Sequence, residues 1–239
     1  MVSVSLPPSN FLQEQLPSRY PAPFSGLPER MTPRQQAANV GDDELTRWLD
    51  EHPSVVYVGF GTIMRLSRRQ VDAIVEIADR LGPEHAVLWK VPARQQHLLP
   101  PAERLPGNLR VLAWVPSQHR VLAHPHVRVF FDHGAANAIH EAVHFAVPQL
   151  VMPFWLDCPD GAVRAVDSGV ALSVERADSL DVEDVLGKLE RLLGEETFRA
   201  RARLWSRRMR QAGGVTPADL VLRHRDEAAA RRGVGLAVG

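Results

Sequence analysis

The sequence has 239 residues, of which 45% are hydrophobic and 23% are charged, so it holds enough apolar material for one large domain with a full core. Twenty-eight basic residues balance 28 acidic ones, and this balance excludes a strong electrostatic drive toward nucleic acid or an anionic membrane. The single cysteine, Cys158, excludes an internal disulfide framework and a zinc cluster built on cysteines.

The N-terminal segment, residues 1–40, is predicted to be an extended linker. It is rich in proline and lacks a sustained apolar period, and proline fixes φ and removes a hydrogen-bond donor. Its opening residues, MVSVSLPPSN, lack the basic and apolar regions of a secretory signal. No apolar run in the chain approaches the ~20 residues that a membrane span needs. We therefore expect a cytoplasmic protein without a membrane span.

Alternating strand and helix patterns predict an α/β domain over residues 41–239. A short helix is predicted over GDDELTRWLDE, and six short apolar strands follow: SVVYVGF, AVLWKV, LRVLAWV, VRVFFD, PQLVMP and VALSVE. LSRRQVDAIVEIADRL and AANAIHEAVHFA, which lie between strands, have the helical period. Near-continuous apolar strands separated by amphipathic helices indicate a single Rossmann-like, doubly wound parallel sheet covered on both faces. Residues 181–230 predict C-terminal helices, whose basic cluster from Arg199 to Arg210 fits a solvated helix face better than an anion-binding patch.

The loop Gly59-Phe60-Gly61-Thr62 follows the first predicted strand, where ligands bind in doubly wound sheets. Glycines allow backbone amides to approach a phosphate, and the next helix offers its N-terminus. A tight strand-to-helix turn also requires glycine for steric reasons alone. This motif by itself therefore decides nothing.

The segment His140-Glu141-Ala142-Val143-His144 matches the HExxH pattern of zinc peptidases, in which two histidines one turn apart bind the metal and the glutamate is the base. At about 100° per residue, Asn137, His140, Glu141 and His144 share the polar face of an amphipathic helix. Pro148 stops this helix, and no downstream segment announces a third ligand. Histidines on the solvated face are the simpler interpretation, and a zinc hydrolase stays open as an alternative.

A longer set of motifs contains the same residues. It runs Trp114-Val115-Pro116-Ser117-Gln118, Leu122-Ala123-His124-Pro125, Phe131-Asp132-His133-Gly134-Ala135-Ala136-Asn137, Glu141, Val147-Pro148, Met152-Pro153 and Asp157-Cys158. This array resembles the nucleotide-sugar signature of the UDP-glycosyltransferases, glycosyltransferase family 1, whose pattern is W-x-P-Q, L-x-H-P, H-C-G-[WG]-N-S-x-x-E, G-V-P, P and [DE]-Q. The upstream stretch LTRWLDEHPSVVYVGFGT is similar to the family's WLD…VVYVSFGS. The resemblance covers about residues 42–225.

The resemblance implies the C-terminal half of a GT-B fold, which binds a UDP-sugar as co-substrate without a metal or another cofactor. It implies that Trp114 stacks on the uracil and that Glu141 accepts hydrogen bonds from the ribose hydroxyls. It also implies that His133 and Asn137 contact the diphosphate and that Asp157 binds the donor sugar. The complete set of UDP-sugar-binding residues that it implies is Gly61, Thr62, Trp114, Val115, Gln118, His133, Gly134, Ala136, Asn137, Ala138, Glu141, Asp157 and Cys158.

Three departures from the family pattern bear on donor binding. Ser117 lengthens the first motif by one residue, Ala138 replaces a serine that donates to the α-phosphate, and Cys158 replaces the glutamine after the terminal acid. Losing a hydrogen bond to a charged phosphate costs about 1.5–3 kcal/mol.

The resemblance also implies that the catalytic base lies in an N-terminal domain that precedes the linker, so no catalytic residue is assigned to residues 41–239. We expect a donor-binding domain of a hexosyltransferase that acts on a small hydroxylated, lipophilic acceptor when an N-terminal half completes it. The alternative is a non-catalytic nucleotide-sugar-binding module or a truncated pseudoenzyme.

Overall fold

The computed structural model describes residues 43–115, 117–175 and 180–211, and those up to residue 207 belong to one compact unit. Its strands are β1 Val55–Gly59, β2 Ala86–Lys90, β3 Leu109–Leu112, β4 Val127–Asp132, β5 Gln149–Val151 and β6 Ala171–Ser173. Its helices are α1 Asp43–Glu51, α2 Arg68–Arg80, α3 Gln118–Ala123, α4 Ala136–His144, α5 Cys158–Asp167, α6 Val182–Gly194 and α7 Glu196–Gln211. Two short 3₁₀ helices, Ala93–Leu98 and Ala102–Arg104, lie between β2 and β3.

The six strands form one sheet in the order β3-β2-β1-β4-β5-β6, and every neighbouring pair is parallel. The chain moves outward from β1 to β3, returns to the centre, and then moves outward on the other side from β4 to β6. The direction therefore reverses between β1 and β4, whose last residues, Gly59 and Asp132, are partners in the register. Ligands of doubly wound sheets bind at such a switch point, at the carboxyl ends of the strands.

Successive residues of each strand face opposite sides of the sheet and enter two separate apolar clusters. Val56 and Val58 of β1 belong to the cluster that includes α2 and α6. Val55 and Tyr57 belong to the cluster that includes α3 and α4, where the Tyr57 ring stacks on Phe130 at a centroid distance of 4.9 Å. Because helices cover both faces, the strands are apolar on both sides, and their carboxyl ends are where polar side chains emerge.

The buried Gln95 side chain holds the loop between β1 and α2 through two hydrogen bonds to its backbone. Its amide oxygen accepts a hydrogen bond from the Leu66 backbone N–H at 2.7 Å, and its amide nitrogen donates to the Met64 carbonyl at 2.9 Å. Ser67 then caps α2 through a reciprocal capping box with Gln70, which stops the loop at a defined residue. These contacts fix the loop that follows the central strand.

The structure confirms the predicted parallel, doubly wound sheet, its six strands and the helices α1, α2 and α4. The sequence does not predict α3 and α5. α5 begins Cys-Pro-Asp-Gly, and these residues have low helix propensity, so the sequence does not indicate a helix there. Within the predicted solvated basic cluster, Arg199 instead is half-buried and donates to the Val127 carbonyl at 3.1 Å. The linker over residues 1–40 and the helical prediction beyond residue 211 lie outside the described residues.

Candidate functional site

The loops after β1 and β4 meet at the switch point of the sheet. Gly61 has φ +71°, and a Cβ atom added to it would lie 3.0 Å from Nε2 of His133. Only glycine combines this left-handed backbone with the space that the imidazole occupies. Gly61 of the weak GxGT motif and His133 of the longer array are therefore in direct contact.

Gly134 makes the sharp turn that leads from β4 into α4. Its φ is +83°, its amide donates to Oδ1 of Asp132 at 2.7 Å, and an added Cβ would meet the Cys158 carbonyl oxygen at 2.7 Å. Gly161 on α5 is equally constrained, because its Cβ would lie 2.2 Å from the Gly134 carbonyl oxygen. The β4–α4 turn is thus packed against the start of α5 with no room for side chains.

α4 begins without a side-chain cap. Its N-cap residue, Ala135, has no side chain that can accept a hydrogen bond, and Ile139 N–H donates to the Ala135 carbonyl. The amides of Ala136, Asn137 and Ala138 in the first turn consequently have no helical carbonyl to pair with. These amides and the positive end of the helix dipole form a favourable place for an anion.

Asp132, the last residue of β4, and His133, which follows it, have strongly shifted pKa values. Burial, with a smaller contribution from Lys90, lowers the pKa of His133 to about 4, so the ring is neutral at pH 7. Burial raises the pKa of the Asp132 carboxyl to about 8 against the opposing Gly134 hydrogen bond. Within the described part of the chain, His133 Nδ1 and Asp132 Oδ2 are buried without hydrogen-bond partners.

The nucleoside end predicted from the array lies where α3 meets α4. The Gln118 amide nitrogen donates to Oε2 of Glu141 at 2.6 Å, and Nε2 of His119 lies 3.2 Å from Oε1 of the same carboxyl. Trp114, just after β3, is 45% exposed, whereas Val115 is buried. The Trp114 indole is therefore accessible as an aromatic platform close to the start of α3.

The predicted sugar end lies on the loops after β1 and β5. Thr62 and Asp157 are both exposed, and a hydrogen bond from the Trp155 indole N–H to the Met64 sulfur at 3.0 Å ties the two loops together. Arg94 donates to the Thr62 carbonyl.

Three predicted site residues, Val115, Ala138 and Cys158, have side chains buried in the apolar clusters. Ala138 is buried in the cluster beneath α4, so its position offers only the backbone amide. The Cys158 thiol is buried, burial raises its pKa, and Cys158 therefore presents only its backbone near Gly134. Pro116 of the first motif lies outside the described residues.

The sequence reasoning assigned no role to three side chains of this region: Lys90, His119 and Asp132. Lys90 and Asp132 are the ionisable last residues of two apolar strands, a pattern that marks the carboxyl edge of the sheet and was available in the sequence. His119 carries no comparable local signal, because its contact with Glu141 joins two helices.

The zinc alternative receives no support from the arrangement of HEAVH. His140 is exposed, and Glu141 is engaged by Gln118 and His119. Across residues 43–115, 117–175 and 180–211, no group of three or more His, Cys, Asp or Glu side chains is placed to hold a metal ion. Among the helices of those same ranges, none has the length and apolarity to cross a bilayer.

Comparisons with known proteins identify the family to which the chain belongs. A family model described as UDP-glucoronosyl and UDP-glucosyl transferase matches residues 29–224. The indole-3-acetate beta-glucosyltransferase of Zea mays is 32% identical over 199 residues, which cover 78% of this chain and 41% of that protein. Erythritol-mannosyl-transferase 1 of Pseudozyma antarctica (strain T-34) is 37% identical over 117 residues, which cover 48% of this chain and 19% of that protein. The chain belongs to the UDP-glucoronosyl and UDP-glucosyl transferase family.

A solved structure supports the same assignment. The UDP-glucose: anthocyanidin 3-O-glucosyltransferase in complex with UDP matches with a TM-score of 0.66 and 26% identity, over 81% of this chain and 44% of that one. The family membership confirms the resemblance found in the motifs. The chain spans less than half the length of each of these relatives.

Proposed function

We propose that this chain binds a UDP-sugar at the carboxyl edge of its sheet and acts as the donor-binding half of a hexosyltransferase. The single observation that carries the proposal is the uncapped first turn of α4 beside His133, at the switch point between β1 and β4. Open amides at a helix N-terminus bind phosphate oxygens and stabilise the charge that develops on a departing UDP. The proposed reaction uses the UDP-sugar as co-substrate and needs no metal and no other cofactor.

The proposed donor lies along the edge of the sheet with the diphosphate in the middle. Trp114 stacks on the uracil, and the Val115 backbone forms hydrogen bonds with the edge of the base. Glu141, beside Gln118, accepts hydrogen bonds from the ribose hydroxyls. The exposed Asp157 binds hydroxyls of the sugar. The diphosphate is bound by the loop residues and by the first turn of α4: Gly61, Thr62, His133, Gly134, Ala136, Asn137 and Ala138, with the Cys158 backbone nearby.

The proposed reaction transfers a hexosyl group to a small hydroxylated, lipophilic acceptor. Acceptor oxygen attacks the anomeric carbon, its proton passes to a base, and UDP leaves with the electron pair of the broken glycosidic bond. We assign that base to an N-terminal half, since the curated relatives are more than twice as long as the region that this chain matches. The maize relative is named for glucosyl transfer to indole-3-acetate and the solved neighbour for transfer to an anthocyanidin, which supports a small-molecule acceptor. A cytoplasmic location is part of the proposal.

Titration with UDP tests the donor site. UDP should quench tryptophan fluorescence and raise the melting temperature, and Trp114→Ala should abolish both effects. Trp205→Phe is the matched control and should bind UDP normally. Trp205 lies on α7, and its indole N–H donates to the carbonyl of Ser168, the residue that follows α5. Full-strength UDP binding by Trp114→Ala would contradict the proposed base platform.

A transfer assay tests the division of labour. The chain alone should hydrolyse UDP-glucose slowly at most, and transfer to phenolic or sterol acceptors should appear when a family N-terminal domain is supplied in fusion or in trans. Efficient transfer by the isolated chain would show that the base is misplaced. UDP binding without transfer in every combination would favour the nucleotide-sugar-binding module.

A further inference from the structure

Both oxygens of the Glu141 carboxyl are engaged by neighbouring side chains. Gln118 donates to one oxygen at 2.6 Å, and the His119 ring nitrogen lies 3.2 Å from the other. The pair is almost out of contact with solvent, since the His119 side chain is 8% exposed and that of Glu141 is 12% exposed. A carboxylate offers about four lone-pair positions, so one position on each oxygen remains for a ligand.

Gln118 is itself oriented from the core. The buried Tyr57 hydroxyl donates to its amide oxygen at 3.0 Å, which turns the amide nitrogen toward Glu141. Tyr57 cannot reach a ligand, because it is fully buried and stacked on Phe130. The chain of contacts therefore runs from β1 through α3 to a carboxyl on α4.

His119 is fixed in a similar way. Its ring packs against Phe145 at a centroid distance of 5.6 Å and directs Nε2 at Oε1 of Glu141. With a side-chain nitrogen next to each oxygen, the carboxyl plane is held against rotation about its last torsion, which is otherwise broad. A vicinal diol needs both oxygens of one carboxylate in a defined plane, because its two hydroxyls donate side by side.

We propose that His119 and Gln118 are positioning residues that hold the Glu141 carboxyl for the paired 2′- and 3′-hydroxyls of a ribonucleotide and so give the site its preference for ribose over deoxyribose. This inference rests on the proposed UDP-sugar site. Beyond that site, it names the residues that orient the Glu141 carboxyl and the selectivity for ribose over deoxyribose that follows from this orientation.

Calorimetric titration of the full chain with UDP and with 2′,3′-dideoxyuridine diphosphate tests the proposal. His119→Phe keeps a ring against Phe145 and removes the ring nitrogen that lies beside Glu141. It should weaken UDP binding about tenfold and leave the binding of the dideoxy analogue unchanged. His119→Gln places an amide nitrogen near the position of Nε2 and should bind UDP within about twofold of wild type. Tyr57→Phe, which removes only one oxygen atom from the core, should weaken UDP binding about threefold with the same indifference to the analogue.

The control is His85→Phe. His85 lies before β2, at the opposite edge of the sheet, where its Nδ1 is 2.7 Å from the Ser54 hydroxyl oxygen. This variant should bind both nucleotides like wild type. Equal weakening of both nucleotides by His119→Phe would show a merely structural role and overturn the inference, as would unaltered UDP binding by His119→Phe. Absence of UDP binding by the wild-type chain would instead refute the proposed function, and this inference with it.

Discussion

Asp132→Asn should change how the stability of the chain depends on pH. Asp132 is completely buried at the end of β4, and burial raises its pKa from an ordinary value of 3.8 to about 8. Asparagine has nearly the same shape and is neutral at every pH. Its amide oxygen can accept the hydrogen bond that the Gly134 N–H now donates to Oδ1 of Asp132 at 2.7 Å. The substitution therefore removes the titration while it preserves the turn into α4.

The sign follows from proton binding in the two states. Between pH 4 and pH 8 the folded chain retains a proton on Asp132 that the unfolded chain has lost, so stability falls as the pH rises toward 8. One pH unit within this window corresponds to about 1.4 kcal/mol, and the loss between pH 6 and pH 8 is about 2 kcal/mol because titration flattens near the folded pKa. The free energy of unfolding of Asp132→Asn, relative to wild type, should therefore rise by about 2 kcal/mol over that interval.

Urea denaturation of both proteins at pH 6 and pH 8, followed by circular dichroism, measures this difference. Other titrating groups are present in both proteins and cancel in the comparison. At pH 6 the two proteins should agree within about 1 kcal/mol, since a protonated carboxyl and an amide make the same contact with Gly134. A difference between variant and wild type that stays constant from pH 6 to pH 8 would refute a raised pKa at Asp132.

Three further substitutions test how the loops around the site are held. Leu156→Gly should raise the free energy of unfolding by about 1 kcal/mol, because Leu156 has φ +59° and is 76% exposed; a lower melting temperature would contradict this. Gly161→Ala should cost about 2 kcal/mol or more and weaken UDP binding, since its Cβ would lie 2.2 Å from the Gly134 carbonyl oxygen; wild-type stability in urea would refute the close packing. Gln95→Met should cost about 3 kcal/mol by leaving two buried backbone groups of the β1–α2 loop unpaired, and a loss below 1 kcal/mol would show that water replaces them.

The fold could be predicted because each strand carries a strong local signal. VVYVG, AVLWK and VRVFFD are apolar on both faces, and only a sheet covered by helices on both sides buries such strands. Strand order is not encoded in any single strand, and it was not predicted; the order β3-β2-β1-β4-β5-β6 comes from the structure alone. α3 escaped prediction because six residues, QHRVLA, are too few to show a period.

The site could be predicted as a set of positions but not as a set of contacts. The motif spacing predicts which residues follow β4 and open α4, and the structure brings Gly61, His133 and Gly134 together there. Spacing says nothing about side chains that meet across the sheet. The engagement of Glu141 by His119 joins residues 22 positions apart, and the Tyr57 hydroxyl reaches Gln118 from 61 positions away. Such contacts depend on how α3 packs against α4, which no local pattern encodes.

The charges along the carboxyl edge of the sheet explain the direction in which the proposed donor binds. At pH 7 the His133 ring is neutral, with a pKa of about 4, and most Asp132 side chains are protonated, with a pKa of about 8. The β4–α4 turn thus presents open amides and no negative charge to a diphosphate, with Lys90 as the nearby basic side chain. The carboxyl groups of Glu141 and Asp157 lie on α4 and on the loop before α5, one at each end of the proposed ligand. A carboxyl group suits a hydroxyl and repels a phosphate, so a nucleoside diphosphate sugar fits this edge with its phosphates at the turn and its two sets of hydroxyls at the ends.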